Sequence, residues 1–566
     1  MEQEIERGPG VNHSEKIKTL ALELTQIRSV VGTAGEKDVA GKVYDTLAAL
    51  DYFRTHPDNL RLLPVRDDSL GRNSVFALIE GTLLPEAKKT LLCLGHIDTV
   101  GVADYGGLQD LATDPAALKE KLAQATKFSE PALSEILSPD WLLGRGILDM
   151  KTGVASLMVM VEHFSRQPEK MAGNLVFFAV PDEEGNSAGM LSAVQDLAEL
   201  QAARGWEFTA AIDTDFMTFR YPGDENRYVY VGTTGKLLPC FFLYGEETHV
   251  GEPFNGLDAN LLASEVMRRI DLATDLCDIA DGEVALPPIS LHQRDNKTEY
   301  SVQTANTVNL YFNWPTHDSE PAAVLAKCRA KALEAFEAAI AHLNVEYMKF
   351  CQLSHIPFQP LPWQPNVLTY DELYRQVRDE MGEELDRILD ALIRQLRERG
   401  ADDREVSMAI VDEVHKHCSD KNSKIVVYFA PPYYPHNFVR DGDARSDILL
   451  SAVEQAVAAA RQRYDYPIVT RKFYPYISDL SYCGIAAAEH MDKLTGNMPA
   501  WQLTYHLPVQ AIQSISMPVV NIGPYGKDAH KLSERVCLNY SFDAMPLILR
   551  RTMEILLGVD NQEEPS

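Results

Sequence analysis

Leu91-Leu92-Cys93-Leu94-Gly95-His96-Ile97-Asp98-Thr99-Val100 is a short apolar run that ends by delivering a histidine and a carboxylate. Residues two apart on an extended chain point the same way, so His96 and Asp98 emerge together at the carboxyl end of a buried strand. A histidine beside a carboxylate is a metal-ligand pairing. It is also what a buried strand with a polar tip would carry, so the rest of the chain has to decide between the two.

Downstream the same texture recurs. Trp141-Leu142-Leu143-Gly144-Arg145-Gly146-Ile147-Leu148-Asp149-Met150-Lys151 leads into an apolar helix over 154–164. A strand over 174–180 then ends in Pro181-Asp182-Glu183-Glu184-Gly185, and another over 208–212 ends in Asp213 and Asp215. Strand, helix and strand with acids at the strand tips describe a βαβ unit whose ligand crevice lies at the carboxyl edge of a sheet. Upstream, helices are expected over 15–28 and 36–50, and a strand over 73–81. Far along the chain, Val519–Ile522 reads as one more strand, followed by Gly523-Pro524-Tyr525-Gly526 and Ala529-His530, and a last helix is expected over 545–557.

Between these halves the character changes. Residues 227–231, 236–244 and 301–314 alternate as strands, and 259–272 and 322–343 read as helices, together a self-contained α+β module. The charged stretch 368–418 reads as a solvated helical hairpin. The expected division is 1–216 as the first segment of an α/β catalytic domain, 217–355 as the smaller module, and 356–566 as the second catalytic segment with a charged helical insertion at about 366–420.

At 566 residues with 45% hydrophobic content the chain has ample material for two cores. Its 53 Lys and Arg against 82 Asp and Glu give a net charge of −29, which speaks against a nucleic-acid partner. The 8 cysteines are scattered singly without a CxxC pair, the pattern of reduced thiols in a cytoplasmic protein. The run Met1-Glu2-Gln3-Glu4-Ile5-Glu6 lacks the apolar core of a signal peptide. No run reaches the ~20 apolar residues of a membrane span.

Collected, the strand-end groups are His96, Asp98, Asp149, Glu183, Glu184, Asp215 and His530. Histidines and carboxylates without cysteine suit a pair of divalent ions, zinc first, with cobalt or manganese in the same geometry. Four motifs in order carry a resemblance: His-x-Asp after an apolar strand, Gly-Arg-Gly-x-x-Asp-Met-Lys, the Glu-Glu pair, and Gly-x-x-Gly-x-x-Ala-His followed by Glu534. They resemble the dizinc aminoacylase and glutamate-carboxypeptidase family of metallopeptidases. The acid-rich layout and Asp51-Tyr52-Phe53-Arg54-Thr55-His56-Pro57 are most similar to an arginine-utilisation subgroup.

The resemblance implies a zinc-peptidase-like α/β fold, a mixed sheet flanked by helices and interrupted by a smaller α+β lid and dimerisation domain. It also implies amide-bond hydrolysis of a small N-acyl amino acid or short peptide. His96 and Asp215 would bind one ion, Glu184 and His530 the other, with Asp149 as the bridge; Asp213, on the same face, competes with Asp215 for the ligand role. Asp98 would orient the His96 imidazole, Glu183 would be the general base, and His249 would reach the active site of a partner subunit in a homodimer. The strand end Tyr311-Phe312-Asn313-Trp314 lacks the arginine that many relatives use for a substrate carboxylate. Two alternatives stand beside this reading. One is a metal-binding or regulatory relative without catalysis; the other is a serine hydrolase using Ser187 in the literal GxSxG of Gly185-Asn186-Ser187-Ala188-Gly189.

Overall fold

The computed structural model describes residues 13–84, 86–124, 128–439, 442–485 and 491–560; the acidic N-terminal hexapeptide lies outside them. The chain forms two compact units. One takes the chain up to Thr233, Asn437–Ile485 and everything from Pro508; the other takes Thr234–His436 and Ala486–Leu507.

The first unit is built on an eight-stranded mixed sheet in the order Leu60–Pro64, Asn73–Ile79, Asn174–Val180, Lys89–His96, Glu207–Asp213, Val519–Asn521, Arg227–Tyr230, Ile468–Arg471. The four strands from Asn174–Val180 to Val519–Asn521 run parallel. Their composition requires it: Asn174–Val180 is buried at every position and Lys89–His96 at all but Lys89, the uninterrupted apolar run of a strand covered on both faces. Helices His13–Thr25, Gly35–Ala48 and Thr152–Ser165 share one core with Leu91, Cys93, Leu175 and Phe177. The helix Thr152–Ser165 starts hard against the end of a central strand. A Cβ on Gly153 would stand 2.1 Å from the carbonyl oxygen of Thr214, so only glycine permits the approach.

A small three-stranded sheet joins distant parts of this unit. Trp141–Leu143 pairs with Arg535–Cys537, which pairs with Gly526–Lys527. The segment leading to Asp149 and the segment carrying His530 are thereby fixed to one another.

The second unit has its own sheet, in the order Ile289–Asp295, Thr307–Thr316, Pro239–Tyr244, Lys424–Phe429, Val367–Thr369, antiparallel except for the last pair. Helices Ala259–Ile270 and Pro321–Ser354 belong to it, as do Tyr370–Met381, Glu384–Glu398 and Asp403–His417.

Three assignments differ from the sequence expectation. Arg227–Tyr230, expected in the small module, is a strand of the first unit's sheet. Lys424–Phe429, expected in the catalytic domain, is a central strand of the second unit. The charged stretch is three helices, not a solvated hairpin. Its apolar stripe, including Leu373, Val377, Leu389 and Val411, closes a core with Cys240, Phe242, Val426 and Tyr428. The compact units therefore divide at 233/234, 436/437, 485/486 and 507/508, where the sequence reading divided at 216/217 and 355/356.

All eight cysteines are free. Among the described residues no helix is long and apolar enough to cross a membrane.

The Gly153 contact generates a stability prediction. Gly153→Ala has to displace the Thr214 backbone or the helix, an overpacking cost of about 1–3 kcal/mol. Urea unfolding followed by circular dichroism is expected to show a lower midpoint for the first unit; an unchanged midpoint contradicts the close docking of helix and strand.

Candidate metal centre

The carboxyl ends of the parallel strands present their side chains into one place, as open α/β sheets do. His96 is the last residue of its strand, and its backbone N–H donates to the Met150 sulfur at 3.2 Å. Asp215 follows the neighbouring strand by two residues, and Glu183 and Glu184 sit in the turn after Val180. Asp149 is carried by an irregular turn that the Gly-Arg-Gly motif permits. Gly146 has a φ of +82°, and a Cβ there would lie 2.6 Å from the Thr99 side chain. A cis peptide bond joins Asp149 to Met150. His530, itself left-handed with a φ of 64°, lies on the loop between Gly526–Lys527 and Arg535–Cys537.

Asp149 stands between two imidazoles. Its Oδ1 lies 3.0 Å from His96 Nε2 and its Oδ2 lies 2.9 Å from His530 Nε2. Glu184 Oε1 is 2.9 Å from the same His530 nitrogen. Two donor groups share the Asp149 carboxylate: His96, Asp149 and Asp215 on one side, Asp149, Glu184 and His530 on the other, each with ligand atoms within 4.8 Å of one another. A third such group is His96, Glu183 and Glu184, and Glu183 Oε2 lies 4.0 Å from His96 Nε2.

Asp213 stands apart from these groups. Its Oδ1 accepts from the Thr214 amide at 2.7 Å and its Oδ2 from the Ser478 hydroxyl at 3.0 Å, which commits both oxygens. Asp98 is fully buried, with its Oδ1 3.7 Å from His96 Nδ1, while that nitrogen is 3.2 Å from the Asp98 backbone oxygen. The Asp98 carboxylate also accepts the Glu183 amide at 3.1 Å and the Glu184 amide at 3.0 Å. It clamps the Glu-Glu turn through the main chain. Ser187 is fully buried at the start of helix Ala188–Arg204, leaving no accessible hydroxyl for a nucleophile. His249 belongs to the second unit, where it is exposed and its Nδ1 accepts from the Gly251 amide at 3.0 Å.

Other supporting residues were not singled out from the sequence. Asp182, with a φ of 73°, receives the Ala188 amide at 3.0 Å, and Arg72 donates to its Oδ1 at 2.6 Å. Arg72 also holds Asp68 at 2.9 Å and Glu36 at 3.1 Å. Burial, with Asp98 adding to it, pushes the Glu36 carboxyl up to about 7 against the pull of Arg72. Glu36, at the start of the expected second helix, and the acid before the Glu-Glu pair were the available signals, but no local pattern links either to Arg72.

Burial raises the carboxyls of Glu183, Glu184 and Asp215, with neighbouring acids adding to each. Among the described residues no lysine or arginine pairs with these three or with Asp149; the salt-bridge partners of Asp149, Glu183 and Glu184 are the imidazoles of His96 and His530. Buried anions in such number need cationic compensation, and a set of nitrogen and oxygen donors sharing one carboxylate fits two divalent ions.

The sequence comparisons agree with this geometry. Residues 94–541 match peptidase family M20/M25/M40, most of the chain, and the protein belongs to that family. This is the metallopeptidase family that the four motifs resemble. The chain is 32% identical over 553 residues to Protein RocB of Bacillus subtilis (strain 168), covering 97% of this chain and 96% of that one. It is 36% identical over 556 residues to the uncharacterized protein YqjN of the same organism, covering 97% and 98%. The crystal structure of the M20 family metallo-carboxypeptidase Sso-CP2 from Sulfolobus solfataricus matches at a TM-score of 0.50 and 10% identity, over 96% of this chain and 99% of that one. The expected fold, a mixed α/β sheet with a separate smaller sheet, is the fold of this family.

The Asp98 clamp is open to a direct test. Asp98→Asn keeps the shape but turns a donor toward one of two amide N–H groups, at a cost of about 1–3 kcal/mol in the folded state. Denaturant unfolding is expected to register that loss, whereas Asp98→Asn with wild-type stability contradicts the clamp.

Proposed function

We propose that the protein is a dinuclear metal-dependent amidohydrolase that cleaves the amide bond of a small N-acyl amino acid or short peptide. The observation that carries this reading is Asp149, whose two oxygens face His96 and His530 at 3.0 and 2.9 Å, with Asp215 in the group on one side and Glu184 in the group on the other. On this reading His96 and Asp215 hold one ion, Glu184 and His530 hold the second, and Asp149 bridges them. Zinc suits the donors first, and cobalt or manganese accepts the same arrangement. When bound, such a pair supplies Lewis acidity toward a carbonyl oxygen and lowers the pKa of a water toward about 7.

Glu183 is the group the two bridged sets leave over. It takes a proton from the attacking water and returns it to the nitrogen of the leaving amine, so one carboxylate serves as base and then as acid. The Asp98 clamp supports this division of labour, because fixing both amides lets the two adjacent glutamates keep separate directions. His249 is assigned the stabilisation of the oxyanion in a partner subunit's site, which makes a homodimer part of the proposal. The sequence resemblance to an arginine-utilisation subgroup makes N-acyl and peptide-linked arginine the first substrates to try, in a cytoplasmic setting. The missing arginine near Asn313 favours substrates recognised without a carboxylate clamp.

The test is a screen of N-acyl amino acids and dipeptides with zinc, cobalt or manganese added, against a chelated control. Turnover that requires metal is expected; its absence for every compound overturns the reading. Glu183→Gln is expected to retain two ions per chain and lose about 10²–10⁴-fold in kcat, the usual contribution of an acid–base group. Unchanged kcat in that variant removes Glu183 from the mechanism.

A further inference from the structure

Glu534 lies four residues beyond His530 and is fully buried. Its Oε1 accepts the backbone N–H of Gly146 at 2.8 Å, of Leu148 at 3.2 Å and of Asp149 at 3.4 Å. Its Oε2 accepts Arg145 Nη1 at 2.8 Å, and Arg145 Nη2 donates to Asp104 at 2.8 Å. The main chain of Glu534 joins in: its carbonyl accepts the Gly144 N–H at 3.2 Å, and its own N–H donates to Lys531 at 2.9 Å. One side chain thus gathers the amides of the turn from which Asp149 projects, while its backbone is anchored to the loop that carries His530. The groups hydrogen-bonded to it, Arg145 among them, come from those two segments.

We propose that Glu534 is a positioning residue that sets the spacing between the Asp149 carboxylate and His530, and so governs how tightly the ion on the His530 side is held. This rests on the dinuclear reading given above. The physical case is that a carboxylate accepting several backbone amides makes strong, charge-assisted bonds whose direction is fixed by the chain. Groups outside the ligands that fix ligand orientation typically govern 10–100-fold in metal affinity. His96 and Asp215, on the other side of the bridge, are placed by the strands Lys89–His96 and Glu207–Asp213, and no bond to Glu534 enters their placement. Asp149 is shared by both donor sets, but only the His530 side has its second ligand on the loop that carries Glu534, so the ion there should respond more strongly to a change at Glu534.

In Glu534→Gln one oxygen remains for the amides, and the new NH2 confronts the Arg145 guanidinium donor to donor. Competition with a chromophoric zinc chelator is expected to show one ion loosened about 10–100-fold and the other changed far less. Arg145→Lys, which leaves the Glu534 carboxylate intact and removes its second anchor, should loosen the same ion by a smaller factor; it decides the question if Glu534→Gln does not fold. The unfolding temperature of the metal-free protein is followed in parallel, because a merely structural role lowers it without separating the two affinities. Wild type binding two ions while the folded variants bind both as tightly, or lose both equally, overturns this inference alone. Wild type binding fewer than two ions overturns the dinuclear reading and this inference with it.

Discussion

A single carboxylate, Asp149, faces an imidazole on each side, His96 at 3.0 Å and His530 at 2.9 Å, and much of the first unit can be read as the means of holding it there. His96 needs a strand end, which the buried run from Leu91 supplies. His530 needs a loop from far along the chain, which the pairing of Arg535–Cys537 with Trp141–Leu143 brings into range. Asp149 itself needs a turn that no regular element provides, and Gly146 and the fully buried Glu534 make that turn. The bridge is the one group on which both donor sets depend.

The cost of this arrangement is electrostatic. Carboxylates removed from water in close company raise one another's energy, and replacing them by apolar groups is often neutral or stabilising in other proteins. Here the strain is distributed by a division of roles among the acids. Asp98 and Asp182 take backbone amides, Asp182 also takes Arg72, and Asp213 is held by Ser478 and its neighbouring amide. Asp149, Asp215, Glu183 and Glu184 are left without a lysine or arginine partner among the described residues. The acids without a lysine or arginine partner are thus the ones grouped around Asp149, where the proposed ions would sit.

Most of the parallel sheet was legible because its strands are apolar runs that end in polar groups, and a period and an end suffice to read them. His96, Asp149, Glu184 and His530 were legible for the same reason, each sitting at the end of a recognisable motif. What could not be read was which sheet a short strand joins. Arg227–Tyr230 and Lys424–Phe429 look alike locally, and their partners are set by register across hundreds of residues. The helices over 370–417 were misjudged because charge dominates their composition, while the narrow stripe through Leu373, Leu389 and Val411 is what packs. Arg72 and the backbone bonds of Asp98 escaped because both act on distant partners, several of them backbone amides, which leave no mark in a local pattern.

The place of Val519–Asn521 in the sheet has a consequence for synthesis. It lies between Glu207–Asp213 and Arg227–Tyr230, two strands made long before it, with the whole second unit translated in between. On the ribosome the first unit's sheet therefore cannot close until Val519–Asn521 emerges, after both segments of the second unit have been made. Until then, exposed strand edges and a cluster of unpaired acids stand together. The same acids that are proposed to hold metal would give the waiting chain a negative charge that discourages two such edges from meeting.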